Sequence, residues 1–378
     1  MCARVFVVPL WHPDLPGAEM SKDLVIVVVD FPTLDLFAGA GGLSQGMASA
    51  GLTVVGASEM DNDALETYKS SHLSRLPQSS LELFEGDVGR HSFRSLKGEI
   101  AVVAGGPPCQ PYSLGGLRRG VADDRDGIPQ FVRVVSEVMP EAFLMENVPG
   151  LARGTQLPVL KRAIEKFREL GFLVTWKILH AADFGVSQRR QRLFVVGTRK
   201  SNFKWPKPTH GADTSRAWVA AREVLDASRP IGDLNNAIIT YAKSPDLRPS
   251  PWDGHLWNGG GRPINPDGLV PTLLASMGGN KTPWLDGGNI VPDYHAYLLA
   301  GGAPRRGIVA GARRLTYQEA AMVQGFSLDM SWCGGRSSIY RQIGNAVPVP
   351  LAKAVGSALV KAMARTEDSI KPRGLAVL

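Results

Sequence analysis

The sequence predicts an α/β fold on a mainly parallel sheet, with a second and less regular domain beside it. Three observations predict it. Between about residues 33 and 198, short apolar runs alternate with amphipathic helical stretches, as strands and the helices that cover them do. The clearest of these runs, Ala101-Val102-Val103-Ala104 in "AVVAGGPPCQPYS", reads as a buried strand stopped by two glycines and two prolines. After Thr198 the texture changes: residues 200–312 are rich in Pro, Gly, Trp and Asn, as in "SPWDGHLWNGGGRPINPDGLVP".

Taken in order, "TLDLFAG" is a first strand, and "GGLSQGMASAGL" a helix with Leu43, Met47 and Ala50 on one face and Gly51 as its stop. "TVVGASE" is a second strand. "IAVVAGG" and "AFLMENV" follow, separated by a helix carrying Phe131, Val134, Val135 and Val138. "LPVLKRAIEKFRELG" places Leu157, Leu160, Ile164 and Phe167 at helical spacing and ends at Gly171. "LVTWKILHA" and "RLFVVGT", joined by "ADFGVSQRRQ", read as an antiparallel pair. Helical texture returns in "TYQEAAMVQGF" and "PLAKAVGSALVKAMA". In the irregular region, Trp252, Trp257 and Trp284 are read as small-domain core rather than base-stacking groups.

The bulk composition excludes several classes. Of the 378 residues, 44% are hydrophobic and 20% charged, ordinary values for a globular chain. No uninterrupted apolar run of about 18 residues is seen, so no membrane partner is expected. The opening "MCARVFVVPLWHPDLPGAEM" lacks a secretory cleavage pattern. The three cysteines, Cys2, Cys109 and Cys333, lie far apart without metal-ligand spacing, which suits a reducing compartment. A net charge of +7 favours a polyanionic partner.

Chemistry concentrates at strand ends. "DLFAGAGGLSQG" is a glycine-rich turn into a helix, which brings backbone N–H groups up to a ligand. It is not the dinucleotide fingerprint, since counting from Gly39 the last position is Ser44. Glu59, closing the second strand, is placed to accept from ribose hydroxyls. A nicotinamide oxidoreductase fits this turn but has no use for Cys109, Glu146, Arg190 and Arg192 together. A zinc deaminase would need a second ligand cysteine after P-C-x-x, where Tyr112 stands.

"DLFAGAGG", "GGPPCQPYS", "FLMENVPG", "QRRQRLFVVG", "RRLTYQEAAMVQGF" and "IGNAVPVP" together resemble the ordered motif set of the DNA cytosine-5 methyltransferases, from about Leu34 to Gly356 with the segment near 210–312 uninformative. Pro107, Ser187 and Val349 depart from the commonest form of those motifs, and none of the three is a catalytic group. The resemblance implies a Rossmann-like S-adenosylmethionine-dependent methyltransferase domain with a mixed, mostly parallel sheet, plus a smaller irregular target-recognition domain. The expected division is an N-terminal extension over 1–32, a catalytic domain over 33–199 completed by 338–378, and a target-recognition domain over 200–337.

By the same resemblance, Cys109 is the nucleophile that adds to cytosine C6, and Glu146 holds N3 and the exocyclic amine. Arg190 and Arg192 grip the base O2 and nearby phosphate. S-adenosylmethionine is the cofactor, met by Phe37, Gly39, Gly41, Gly42, Leu43, Glu59, Met60, Asp87, Val88, Gly106 and Asn345, and no metal is expected. Gln110, Ser113, Gln188, Thr272 and Leu273 are the expected DNA-binding residues, with Arg262, Lys281, Arg305 and Arg306 as nearby cations. The implied substrate is a cytosine flipped out of double-stranded DNA, with a tRNA methyltransferase of the same fold as the alternative. A monomer in the bacterial cytoplasm, on the nucleoid, is expected, with a cognate restriction endonuclease as a partner acting on the same site.

Overall fold

The computed structural model describes residues 4–9, 25–72, 81–108, 127–200, 202–234, 237–249 and 262–364. Strands β1 (Arg4–Pro9) and β2 (Val25–Asp30) pair antiparallel as a separate ribbon. The central sheet is built from β3 (Pro32–Leu36), β4 (Thr53–Glu59), β5 (Glu82–Glu85), β6 (Val102–Gly105), β7 (Ala142–Asn147), β8 (Leu173–His180) and, after the two-residue β9 (Gln188–Arg189), β10 (Gln191–Thr198). Its seven strands run in the order β5-β4-β3-β6-β7-β10-β8. All pairings from β5 to β7 are parallel, whereas β10 runs antiparallel to both β7 and β8. The sheet is therefore mixed and mostly parallel, with the antiparallel pair where the sequence places it.

Both faces are covered, because alternate residues of each strand point to opposite sides. Leu34, Leu36, Val103, Phe143, Met145, Leu193 and Val195 meet helices α3 (Gly127–Val138) and α4 (Leu157–Glu169). The other face, with Val102, Ala104, Leu144, Phe194 and Val196, meets α1 (Gly42–Ala48) and the last helix, α9 (Val349–Ala364). Helix α2 (Asn62–His72) follows β4 and brings Tyr68 against Ala57. Gly46 lets α1 lie directly on α9, since a Cβ there would run into the Ala352 side chain and the Val349 carbonyl.

The region after β10 is less regular but not without order. Two-residue strands β11 (Pro263–Ile264) and β12 (Val270–Pro271) and strand β13 (Trp284–Asp286) are followed by α6 (Ile290–Leu299) and β14 (Ala312–Arg314), with the single turn α5 (Ala221–Val224) before them. Strands β11, β13 and β14 form a small sheet. Trp284 is fully buried in a core with Ile239, Val291 and Tyr294, as expected for a packing residue; Trp252 and Trp257 lie outside the described residues. Helix α6 and the edge strand β5 were not expected from the sequence.

Helices α7 (Tyr317–Val323) and α8 (Arg336–Asn345) lead back to the sheet. Within Arg336–Ala364 an 18-residue window has a mean hydropathy of 1.3, enough by length and composition alone for a membrane span. The stretch is interrupted between α8 and α9 by Ala346–Pro348, and Ile343, Leu351, Val355 and Leu359 are fully buried in the protein. This is a core segment by packing.

Candidate active site

The glycine-rich turn follows β3. Phe37 takes a φ of 58°, Gly39 of 56° and Gly41 of 82°, left-handed values that cost a non-glycine residue and so mark Phe37 as held by its surroundings. Glu59, the last residue of β4, does much of the holding. Its Oε2 accepts from the Gly39 N–H at 2.7 Å, and its Oε1 accepts from the Met60 and Asp61 N–H groups at 2.9 and 2.8 Å. Beneath the turn, the Ser44 hydroxyl donates to Asp35 Oδ2 at 2.5 Å and shares a hydrogen bond with the Tyr68 hydroxyl at 2.9 Å. Burial pushes the Asp35 carboxyl up to about 7; the Ser44 bond opposes this and the Glu59 charge adds to it.

The glycines divide by what stands over them. A Cβ on Gly39 would meet nothing within 4 Å, and one on Gly106 would meet only Glu146 Oε2, at 3.1 Å. Gly39 thus borders open space past the end of β3, while Gly106, past the end of β6, lies close against Glu146. Gly41 and Gly42, expected to admit the cofactor, are instead required by the protein's own packing. A Cβ on Gly41 would strike the His72 ring, and one on Gly42 the Val347 carbonyl. Leu43 and Val88 are buried in the core, and Met60 is 69% exposed. Asp87 lies just past the end of β5, exposed, accepting from the Gly89 N–H at 2.8 Å.

The second half of the site comes from three adjacent strands. Because β10 runs against β7, the residues that open β10 stand beside those that close β7: Leu193 opposes Asn147, and Phe194 opposes Glu146. Arg192 therefore shares a face with Glu146, and its Nε lies 2.8 Å from Glu146 Oε1. Glu146 is nearly buried, and burial pushes its carboxyl above the usual range against the pull of Arg192 and then Arg190. A carboxyl so placed keeps a proton to higher pH than a surface glutamate. Asn147 Nδ2 donates to the Pro107 carbonyl at 2.9 Å, fixing the end of β6 against β7. The Gly127 N–H donates to the Pro108 carbonyl at 3.0 Å, so the segment between them begins and ends at one place. Cys109, Gln110, Tyr112 and Ser113 fall in that segment, outside the described residues.

Three expected contact residues are turned inward. Arg190 is fully buried, and its Nη1 donates to Leu273 O at 2.7 Å while its Nη2 donates to Gly344 O and Ala346 O at 2.8 Å each. It is not placed to grip a base, because its fork is filled by main-chain carbonyls. Gln188 is also fully buried: its Oε1 accepts from the Leu273 N–H at 3.0 Å and its Nε2 donates to Gln324 Oε1 at 3.1 Å. Leu273 belongs to the hydrophobic core beside Ile343 and Val323, while Leu274 is 57% exposed. Thr272 stays near the surface with its hydroxyl donating to Arg189 O. Asn345 is exposed at the end of α8; the tie between this segment and the glycine-rich turn is made by the main chain at Val347, against Gly42.

A family model for C-5 cytosine-specific DNA methylase matches residues 31–244 and 280–361. The chain belongs to the C-5 cytosine-specific DNA methylases. It is 31% identical over 345 residues to the Type II methyltransferase M.NgoMIV of Neisseria gonorrhoeae, covering 89% of this chain and 99% of that protein. To the Type II methyltransferase M.AplI of Arthrospira platensis it is 33% identical over 359 residues, covering 92% and 89%. Solved structures share the fold: an E. coli prophage-encoded DNA modification methyltransferase (TM-score 0.63, 22% identity, 88% of this chain and 99% of that one) and the S. pombe Dnmt2 methyltransferase (TM-score 0.63, 17% identity, 89% and 99%). The methylase thus transfers a methyl group from S-adenosylmethionine to C5 of cytosine in double-stranded DNA.

The residues present fit that cofactor. Phe37 offers an aromatic face, Gly39 leaves free space near it, and Glu59 and Asp87 bring carboxylates to the same edge. Asp35, Ser44, Tyr68 and His72, which brace the turn from below, were missed by sequence reasoning. One signal was available: Asp35 is the lone charge inside the apolar run of "TLDLFAG".

Proposed function

We propose that this methylase carries out its reaction through Cys109, Glu146 and Arg192, within a catalytic domain of residues 33–199 completed by 338–378. The pairing of Glu146 with Arg192 at the ends of β7 and β10 carries the reading, since the chain leaves β6 through Pro107 and Pro108 beside it and Cys109 is the next residue in sequence. The base leaves the helix stack to reach it. Glu146 supports a proton at cytosine N3, which makes C6 electrophilic, and Arg192 fixes the carboxyl and faces the base O2. The Cys109 thiolate forms a bond to C6 and pushes electron density to C5. When bound, S-adenosylmethionine supplies the methyl group, held by Phe37, Gly39, Glu59, Asp87 and Gly106. Loss of the C5 proton then expels Cys109 and restores the aromatic ring.

Residues 200–337 form the target-recognition domain in this reading, with Thr272, Gln110 and Ser113 at the DNA. Arg305, held over the rings of Tyr294 and Tyr297 at 5.4 and 4.9 Å, is a cation organised to meet phosphate. The Type II relatives favour a bacterial restriction–modification role; in this reading the enzyme works as a monomer in the cytoplasm, with a cognate endonuclease cutting the same site. The test is the Cys109→Ser variant, which is expected to lose methyl transfer while still binding duplex. A duplex carrying 5-fluorocytosine is expected to trap an adduct that mass spectrometry places on Cys109. Full activity in the variant would refute the assignment. Bisulfite sequencing of DNA from expressing cells identifies the target site.

A further inference from the structure

Arg190 is a buried cation that forms no ion pair with a carboxylate among the described residues, and Glu146 acts on it only through space. Its fork is met by three carbonyls from two distant parts of the chain, Leu273 on one side and Gly344 and Ala346 on the other. The last two lie at the C-terminus of α8, where the helix dipole presents its negative end. Burying a guanidinium in this way costs free energy that an apolar side chain of similar volume would not, so its geometry has to be of use.

Each of its contacts leads to a different part of the machinery. Leu273 lies in the segment that begins with Thr272, and Gln188 also clamps Leu273 through its N–H. Gly344 packs main chain to main chain on the same segment, because a Cβ there would collide with Leu274 O. Past Ala346, the Val347 carbonyl sits against Gly42 of the glycine-rich turn. Two residues on from Arg190, within β10, is Arg192, paired with Glu146. The guanidinium is planar and rigid, so a carbonyl cannot move at one tine without disturbing the others.

We propose that Arg190 is a positioning residue that couples occupation of the DNA-reading segment to the cofactor turn and to the Glu146–Arg192 pair. Docking of the correct sequence on residues 272–275 sets Leu273 O, and Arg190 passes that setting to Ala346 and Val347, and so to Gly42. By reciprocity, cofactor binding tightens the hold on target DNA. This rests on the functional reading above and goes beyond it, in giving Arg190 no contact with the base.

The experiment measures binding of S-adenosylhomocysteine alone by calorimetry, and of a duplex bearing the bisulfite-defined site with and without S-adenosylhomocysteine. In the wild type the cofactor product is expected to tighten duplex binding roughly 5–150-fold, the usual span of such coupling. In Arg190→Lys, whose point charge reaches fewer carbonyls, each ligand alone is expected to bind within about threefold of wild type while the tightening falls to about twofold or less. Gly344→Ala, which leaves Arg190 intact but displaces Leu274, is expected to show the same loss and decides the matter if Arg190→Lys does not fold. A wild type with no tightening, or variants that retain it, would overturn the proposal; a merely structural arginine would lower the melting temperature and leave the ratio alone. A wild type that methylates no cytosine would strike the functional reading instead.

Discussion

Asp35 shows how a single side chain ties the glycine-rich turn to pH. Its carboxyl is fully buried, Oδ1 has no hydrogen-bond partner among the described residues, and its pKa stands at about 7 against 3.8 for the free side chain. The folded state therefore holds a proton that the unfolded chain releases. Its contribution to stability is fully present below pH 3.8 and is lost as pH rises to about 7, by a few kcal/mol in all. Asp35→Asn removes the titration but can keep an acceptor for Ser44. Relative to the wild type, the variant is expected to gain stability steadily between pH 4 and 7 and to level off above it, read by thermal melts across that window. A difference between the two proteins that does not vary with pH would show that Asp35 is ionised throughout.

Among elements, the contact of α1 with α9 is the one on which the turn depends, and Gly46 sets its distance. Gly46→Val would push α9 outward, with an expected loss of about 1–3 kcal/mol for overpacking. Because Val349 opens α9 and Val347 lies just before it, binding of S-adenosylhomocysteine should weaken along with it. Calorimetry and thermal melts check both, and an unchanged melting temperature would refute the close-contact argument. Elements such as α4 were plain in the sequence, since Leu160, Ile164 and Phe167 repeat at helical spacing and all three are buried. So were β6, β7 and β10, whose apolar runs are covered on both faces. Strand β5 was missed because "ELFE" is a half-exposed edge that, among the described residues, pairs only with β4, and the small strands are too short to carry a period. The role of Arg190 was illegible for a different reason: its partners are carbonyls 83, 154 and 156 residues away. A main-chain acceptor leaves no signature in residue identity.

At the scale of the whole molecule, that same fact bears on how targets change. Gln188 and Arg190 grip Leu273 by its N–H and C=O, and β12 joins β9 through parallel main-chain pairing. None of these bonds asks for a particular side chain in the reading segment. Replacing residues 200–312 by those of a relative is therefore expected to transfer that relative's methylation site with the chemistry intact, as bisulfite sequencing would show. Persistence of the original site would move sequence reading into the catalytic domain. The packing of α9 on α1 has a further consequence, for synthesis. The helix that completes the core beside Leu43 and Met47 is made roughly 300 residues after them. At the ~5–20 residues per second of translation, the glycine-rich turn waits about 15–60 s on the ribosome before Val347 and α9 arrive to brace it. Until then the nascent chain carries an open apolar face beneath the glycine-rich turn, so that turn is among the last parts of the growing chain to be fixed in place.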